Sequence, residues 1–89
     1  MGEFLITCVT TDRFGDITHV GLSNGKYITV GSIIYYIDNN IHNFYTNVYN
    51  ERTEVYAKST SEGSRFITTN RDGILPNNLD NLPRCQYHG

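Results

Sequence analysis

The sequence predicts an α+β fold: a single, mainly antiparallel sheet with one helix on one face and a short C-terminal helical turn. Two observations lead to this prediction. Most of the chain is rich in Tyr, Thr, Ile and Val, which favour strands, and Asn- and Gly-containing breaks separate these stretches. In one segment apolar residues recur every three to four residues and not every two, which indicates a helix. The predicted order of elements is β-β-α-β-β-β.

The first two strands are predicted at residues 4–10 and 17–22, joined as a hairpin across the polar break at residues 12–16. Asn24-Gly25 follows and is the strongest turn signal in the chain, because this pair suits the two positive-φ positions of a type I′ turn. Residues 27–28 are then expected to pair back briefly on the second strand.

The helix is predicted over residues 30–39. Five apolar residues form one stripe at helical spacing: Val30, Ile33, Ile34, Ile37 and Ile41. Thr29 is suited to cap the N-terminus, and Asn40 tolerates a left-handed conformation at the other end. Burial is expected for the three middle isoleucines and exposure for Tyr35 or Asp38. The segment has a poor intrinsic helix propensity, so packing on a sheet has to stabilise it.

Three further strands are predicted at residues 43–49, 52–58 and 65–69, the last two separated by a polar turn. Each of the first two alternates apolar and polar positions, as expected for strands with one buried face.

Three leucines follow the last strand, Leu75, Leu79 and Leu82, with Pro76 and Pro83 beside them. Their spacing predicts one helical turn laid on the core, with the Asn77-Asn78 pair as its cap. The 89 residues are expected to form one small globular domain with a frayed end at residues 84–89.

Charge and cysteine content limit the classes of function. The formal net charge is −2 with Lys and Arg scattered, which argues against nucleic acid as a partner. The first residues have neither a basic region nor a long apolar run, so no signal peptide or membrane span is predicted and a cytoplasmic location is expected. Cys8 and Cys85 are too far apart for a short zinc pair, and both are interpreted as thiols.

No catalytic residue, metal or cofactor is predicted, and the protein is not expected to be an enzyme. His19, His42 and His88 do not form a cluster with metal-ligand spacing. Asp12 and Asp16 flank a glycine as in part of a calcium loop, but the remaining ligand positions are missing, so a polar hairpin turn is expected instead.

The leading hypothesis is a non-enzymatic binding module. If the apolar residues of neighbouring strands point inward, Tyr45, Tyr49 and Tyr56 point outward together with Arg52. Tyr and Arg carry much of the binding energy at interfaces, although cross-strand Tyr pairs also stabilise exposed sheets by about 0.2–1 kcal/mol each. The partner would be another protein or a second copy of the chain, as for a bacterial or phage-borne regulator or inhibitor.

The alternative is a small-ligand-binding or hydrolytic protein with a polar cleft beside the C-terminal tail. His19, Arg65 and Arg71 are the candidate residues for this cleft. A deep pocket with convergent polar groups would favour this hypothesis, whereas a flat aromatic face would favour a protein partner.

Four motifs resemble a known family: TNRDG at residues 69–73, NLDNLP at 78–83, ITCV at 6–9 and DITHV at 16–20. They are similar to the mainly bacterial family of domain of unknown function 3892 (DUF3892), whose tail reads T-x-x-D-G, three residues, D-N-L-x-x-L-P. Here Asn77 stands in place of the first Asp of the second motif. Both residue types cap helices, so the resemblance implies the same local structure but no metal or acid role at this position. It implies no activity.

Overall fold

The computed structural model describes residues 2–69 and 78–86. The elements in these residues confirm the α+β class. They are β1 (Gly2–Thr11), β2 (Ile17–Leu22), β3 (Tyr27–Thr29), α1 (Val30–Asp38), β4 (His42–Val48), β5 (Glu51–Glu54), β6 (Tyr56–Ser59), β7 (Arg65–Thr68) and a 3-10 turn (Asn78–Asn81).

The strands form two sheets and not the predicted single one. Five strands lie in the order β3-β2-β1-β4-β5, and β6 pairs with β7 in a separate two-stranded sheet. All strand pairs are antiparallel except β1 and β4, which are parallel. The parallel pair arises because the chain crosses over through β2, β3 and α1 before β4 enters beside β1, which is the connection that parallel strands require.

The strand predicted at residues 52–58 is divided in two at Val55. This residue is buried, and its N–H donates to the Phe44 carbonyl oxygen (2.9 Å). The segment before it pairs with β4, whereas the segment after it leaves the large sheet and pairs with β7 near α1. Burial of one apolar side chain at the bend therefore breaks an alternation that looked continuous in the sequence.

The first hairpin is confirmed, and its loop is the polar turn that we predicted. Asp12 Oδ1 accepts hydrogen bonds from the N–H groups of Phe14 (2.9 Å) and Asp16 (3.0 Å). This carboxylate closes the loop in the manner of an Asx turn.

The type I′ prediction at Asn24-Gly25 is wrong. Only Gly25 has a positive φ there (90°), and the Asn24 side chain instead accepts a hydrogen bond from the Lys26 N–H (2.9 Å). The two-residue loop with both φ angles positive, which is the mark of a type I′ turn, lies between β4 and β5 at Tyr49 (55°) and Asn50 (62°).

The helix begins and ends where the sequence predicts. Thr29 Oγ1 accepts a hydrogen bond from the Ser32 N–H (3.1 Å), and Asn40 has a positive φ of 56° just beyond the last turn. Ile33 is fully buried, while Ile34 and Ile37 are half-buried against the core. The outward-facing Tyr35 and Asp38 are exposed. The apolar stripe therefore faces the core, and Ile33 is its most deeply buried residue.

The core lies between the large sheet and α1. Among the residues whose burial the structure describes, nine apolar ones are buried in it: Ile6, Val9, Val20, Leu22, Ile33, Phe44, Val55, Ile67 and Leu79. Leu79 comes from the predicted C-terminal helical turn and is 0% exposed, and Leu82 packs half-buried beside it. This confirms that the turn packs on the core; Leu75, Pro76 and Asn77 lie outside the described residues.

The end of the described chain pairs with β1, so the expected fraying is wrong for residues 84 and 85. The Val9 N–H donates to the Pro83 carbonyl oxygen (3.0 Å), and the Cys85 N–H donates to the Val9 carbonyl oxygen (2.8 Å). These bonds form a parallel bridge between Val9 and Arg84. The last residues, 87–89, lie outside the described part of the chain.

Cys8 and Cys85 form a disulfide, so their interpretation as thiols is wrong. The bridge at Val9 brings the two Cα atoms to 4.9 Å, which is within the range that disulfides span. The sequence could not show this proximity because it depends on a pairing between opposite ends of the chain. In residues 2–69 and 78–86, no helix has the length and apolar character needed to cross a membrane.

Candidate functional site

One face of the large sheet points away from α1. We use the term open face for the part of this face that β1, β4 and β5 form. Residues paired across strands lie on the same face, and the register pairs Leu5 with Tyr45, Tyr45 with Glu54, and Asn47 with Arg52. The alternate residues Phe44 and Thr46 of β4 are buried on the opposite face. The side chains of the open face are exposed or half-buried.

Arg52 is the most highly connected residue of the open face. Its guanidinium carbon lies 4.0 Å from the centroid of the Tyr45 ring. The same guanidinium forms an ion pair with Glu3 and lies 3.7 Å from Glu54. A single exposed ion pair contributes little stability. A guanidinium that stacks on a ring and also lies beside two carboxylates, however, can adopt few orientations. The Tyr45–Arg52 pair is therefore presented to solvent in an ordered arrangement.

Tyr49 lies at the tip of the β4–β5 hairpin and is 88% exposed. Its φ of 55° is rare for a bulky side chain, and a left-handed residue with a Cβ costs about 1–2 kcal/mol relative to the right-handed one. Its side chain makes no hydrogen bond or ring contact with any residue in the described part of the chain. The hairpin therefore carries an exposed aromatic ring on a residue with a costly backbone conformation, and this ring makes no hydrogen bond or ring contact within the described part of the chain.

Tyr56 does not join this group. It lies in β6, in the small sheet, where the Lys58 ammonium is 5.9 Å from its ring centroid. Of the predicted binding residues, the structure thus brings Tyr45 and Arg52 into contact and places Tyr49 at the tip of the same hairpin. The bend at Val55 is the reason that Tyr56 is displaced from them.

The predicted ligand cleft is not formed by the residues proposed for it. His19 lies in β2 and stacks flat on Tyr27, with 5.0 Å between ring centroids. Arg65 lies in the small sheet, where its Nη2 donates to Asp38 Oδ1 (2.8 Å). Arg71 is outside the described residues. His19 and Arg65 therefore belong to different surfaces.

A groove of about 420 Å³ separates the β1–β2 loop from the β6–β7 hairpin. It is lined by Gly15, Asp16, Ile17, Val30, Thr60, Ser64, Arg65, Phe66 and Ile67. No pattern in the sequence indicated this groove, because it depends on how the small sheet is placed beside the large one. Among the lining residues, the one cation, Arg65, is paired with Asp38, and the others supply the Asp16 carboxylate, apolar side chains and hydroxyl groups.

Two contacts on the face of the large sheet that points away from α1 were also not predicted from the sequence. Glu3 was missed because its contact with Arg52 requires the parallel pairing of β1 with β4. The His19–Tyr27 stack was missed although both residues fall on outward positions of paired strands. Among the described residues, no three His, Cys, Asp or Glu side chains are grouped so that they could hold a metal ion.

Comparison with known proteins identifies a family but no activity. No curated protein and no solved structure matches the chain. A family model described as "Protein of unknown function (DUF3892)" matches residues 5–83, which span β1 to the end of the C-terminal turn. The chain therefore belongs to the DUF3892 family.

Proposed function

We propose that the protein is a non-enzymatic binding module that docks a protein partner on the open face, with Tyr49, Tyr45 and Arg52 as its main contacts. The observation that supports this proposal is the exposure of Tyr49 together with its left-handed backbone conformation. Sheet stabilisation accounts for Tyr45, whose ring is covered by Arg52. It does not account for Tyr49, which is exposed, has a strained backbone conformation and makes no hydrogen bond or ring contact with the described residues.

The three contact residues have the properties of an interface anchor. Tyr and Arg bring a large contact area and a polar tip, and they are enriched among the residues whose loss weakens binding most. The ion pairs of Arg52 hold its guanidinium in place before a partner arrives, which reduces the entropy lost on binding.

The charge of this surface indicates the kind of partner. In β1, β4 and β5 the charged residues on the open face are Glu3, Arg52 and Glu54, because Glu51 pairs with Val48 on the opposite face, and this leaves two carboxylates against one cation. A partner with basic groups around an aromatic-accepting pocket would complement this surface. Two copies of the chain placed face to face would instead bring carboxylates together, which disfavours a homodimer through this face.

The test is affinity capture from the organism of origin, in buffer without reductant, with the wild-type protein and three variants. Tyr49→Ala and Arg52→Ala alter the open face, whereas Tyr35→Ala removes another exposed ring, on the outer side of α1. We expect one protein that the wild type and Tyr35→Ala retain and that the other two variants lose at least tenfold. Equal recovery by all four proteins would contradict the proposal, and a dimer seen by light scattering and lost in Tyr49→Ala would identify the partner as a second copy.

The groove beside Arg65 supports small-ligand binding as a second candidate function. Its volume of about 420 Å³ lies within the range of ligand sites, and it combines apolar side chains with hydroxyl groups. A fragment screen by NMR tests this directly. Shifts confined to the amides of Thr60, Ser64 and Phe66 would favour a ligand, and no shifts at millimolar fragment would remove the candidate.

The location and role of the module follow from the same surface and from the disulfide. Disulfides persist in oxidising compartments, so the Cys8–Cys85 bond favours such a compartment over the cytoplasmic location that we expected from the sequence. The role that fits a small binding domain is that of a regulator or inhibitor, and a bacterial or phage origin is what the family resemblance implies.

A further inference from the structure

The segment Pro83–Gln86, which we call the clasp, occupies an edge of β1 that β4 leaves free. β4 pairs with β1 only as far as Leu5, and β2 covers the opposite edge. Val9 pairs with Val20 on the β2 side, so its second neighbour, the clasp residue Arg84, lies on the β4 side. The clasp therefore extends the sheet where β4 has diverged.

Few groups hold the clasp in this position. Both of its backbone hydrogen bonds go to Val9, and the remaining attachment is the bond between Cys8 and Cys85. Pro83, Arg84 and Gln86 are exposed, and both cysteines are only half-buried. By contrast, the turn that precedes the clasp is anchored by the fully buried Leu79. The chain thus has an apolar anchor at the turn and a covalent one at the clasp, and the two can be separated.

We propose that the Cys8–Cys85 disulfide is an exchange site for protein dithiols, and that its reduction releases the clasp from β1 while the Leu79 turn stays in the core. The half-buried cysteines allow a thiolate to reach the bond, since exchange depends on access to a sulfur. Once the bond is open, two backbone hydrogen bonds have to hold an exposed segment, and the conformational entropy that this segment regains on release opposes them.

The reaction is a thiol–disulfide exchange in two steps. A thiolate of the dithiol attacks the Cys85 sulfur, which forms a mixed disulfide and expels Cys8 as a thiolate that takes up a proton. The second thiol of the dithiol then attacks the mixed disulfide, which releases Cys85 as a thiol and leaves the dithiol oxidised. Two electrons and two protons pass from the dithiol to the protein. A protein disulfide that takes back the two electrons and two protons by the reverse steps re-forms the bond, and the sheet edge at Val9 then accepts the same backbone groups.

The two states differ in one observable feature, the edge of β1. In the oxidised state the N–H and C=O of Val9 are covered by the clasp, and in the reduced state they are unpaired on that side. The inference does not depend on the open face, so it can fail or stand independently of the proposed function.

Amide hydrogen exchange of the full chain tests the proposal, with the protein oxidised, reduced by dithiothreitol, and reduced by a thioredoxin-type dithiol protein. The amides of Val9 and Cys85 report the clasp, and the Val55 amide, bonded to Phe44 in another part of the sheet, is the control. We expect reduction to raise exchange at the two clasp amides at least tenfold more than at Val55, whose rise measures only the loss of global stability. The Cys8→Ser/Cys85→Ser variant should show the reduced pattern without reductant.

Three results would overturn the proposal. Unchanged exchange at Val9 after reduction would show that the clasp stays bound without the disulfide. An equal rise at Val55 and at the clasp amides would show that the bond holds the whole fold and not the clasp alone. Reduction by dithiothreitol but not by the dithiol protein, followed by mass spectrometry of alkylated thiols, would show that the bond is not an exchange site for proteins.

Discussion

Reduction of the Cys8–Cys85 bond is expected to lower the free energy of unfolding by several kcal/mol. The bond joins residues 77 positions apart, so it closes nearly the whole described chain into one loop. A disulfide stabilises mainly because it restricts the unfolded chain, and this effect grows with the logarithm of loop length. For a loop of 77 residues the chain-entropy relation gives about 15 cal/mol/K, or about 4.5 kcal/mol at 25 °C.

Measured effects fall below this limit, so we expect a loss of about 2–4.5 kcal/mol. A domain of 89 residues has a total stability of about 4–13 kcal/mol, so reduction removes a large part of that stability. With an unfolding entropy of about 2.1 cal/mol/K per residue, the melting temperature should fall by about 10–24 °C.

Thermal melts followed by circular dichroism, with and without a phosphine reductant, measure this change in a single protein. The Cys8→Ser/Cys85→Ser variant is the matched control: it should melt at the temperature of the reduced wild type and should not respond to the reductant. If the wild type melts at the same temperature in both conditions while alkylation shows that the bond was present and then reduced, the entropic reasoning is refuted. Free thiols in the untreated protein would refute the disulfide itself.

Three further predictions concern single side chains. Ile33→Ala should lower the free energy of unfolding by about 2–5 kcal/mol, and Ile34→Ala by less because that side chain is half-buried; equal losses in urea denaturation would contradict the orientation of α1. Thr46→Val should raise stability by about 1 kcal/mol, since the buried Thr46 hydroxyl has no hydrogen-bond partner among the described residues, and a loss of similar size would reveal a partner. Tyr49→Asn should also gain about 1 kcal/mol in the same assay, because Asn adopts the left-handed conformation more readily, and a destabilised variant would show that the ring contributes to the fold.

Local signals in the sequence predicted the elements whose formation depends on neighbouring residues. The stripe through Ile33, the cap at Thr29 and the left-handed Asn40 determine α1, and all three occupy the predicted roles. The first hairpin and the turn that buries Leu79 were predicted for the same reason.

Features that depend on distant parts of the chain were not predictable in this way. The alternation at residues 52–58 cannot show that Val55 turns into the core, and therefore could not show that Tyr56 leaves the open face. The turn rules favoured Asn24-Gly25 for the type I′ conformation, but the positive φ pair lies at Tyr49 and Asn50, where strand pairing sets the loop length. The contact of Tyr45 with Arg52 was foreseen because both lie on strands that are adjacent in sequence.

Site-specific photo-crosslinking at the hairpin tip tests the proposed function most directly. A photoreactive phenylalanine derivative replaces Tyr49 in one variant and Tyr35 in another, and both are irradiated in the organism of origin. We predict a crosslink from position 49 to one protein with a basic surface. We predict no crosslink to that protein from position 35, although the Tyr35 side chain is 58% exposed. No crosslinked product from position 49, or the same products from both positions, would contradict the account that the open face is a binding surface.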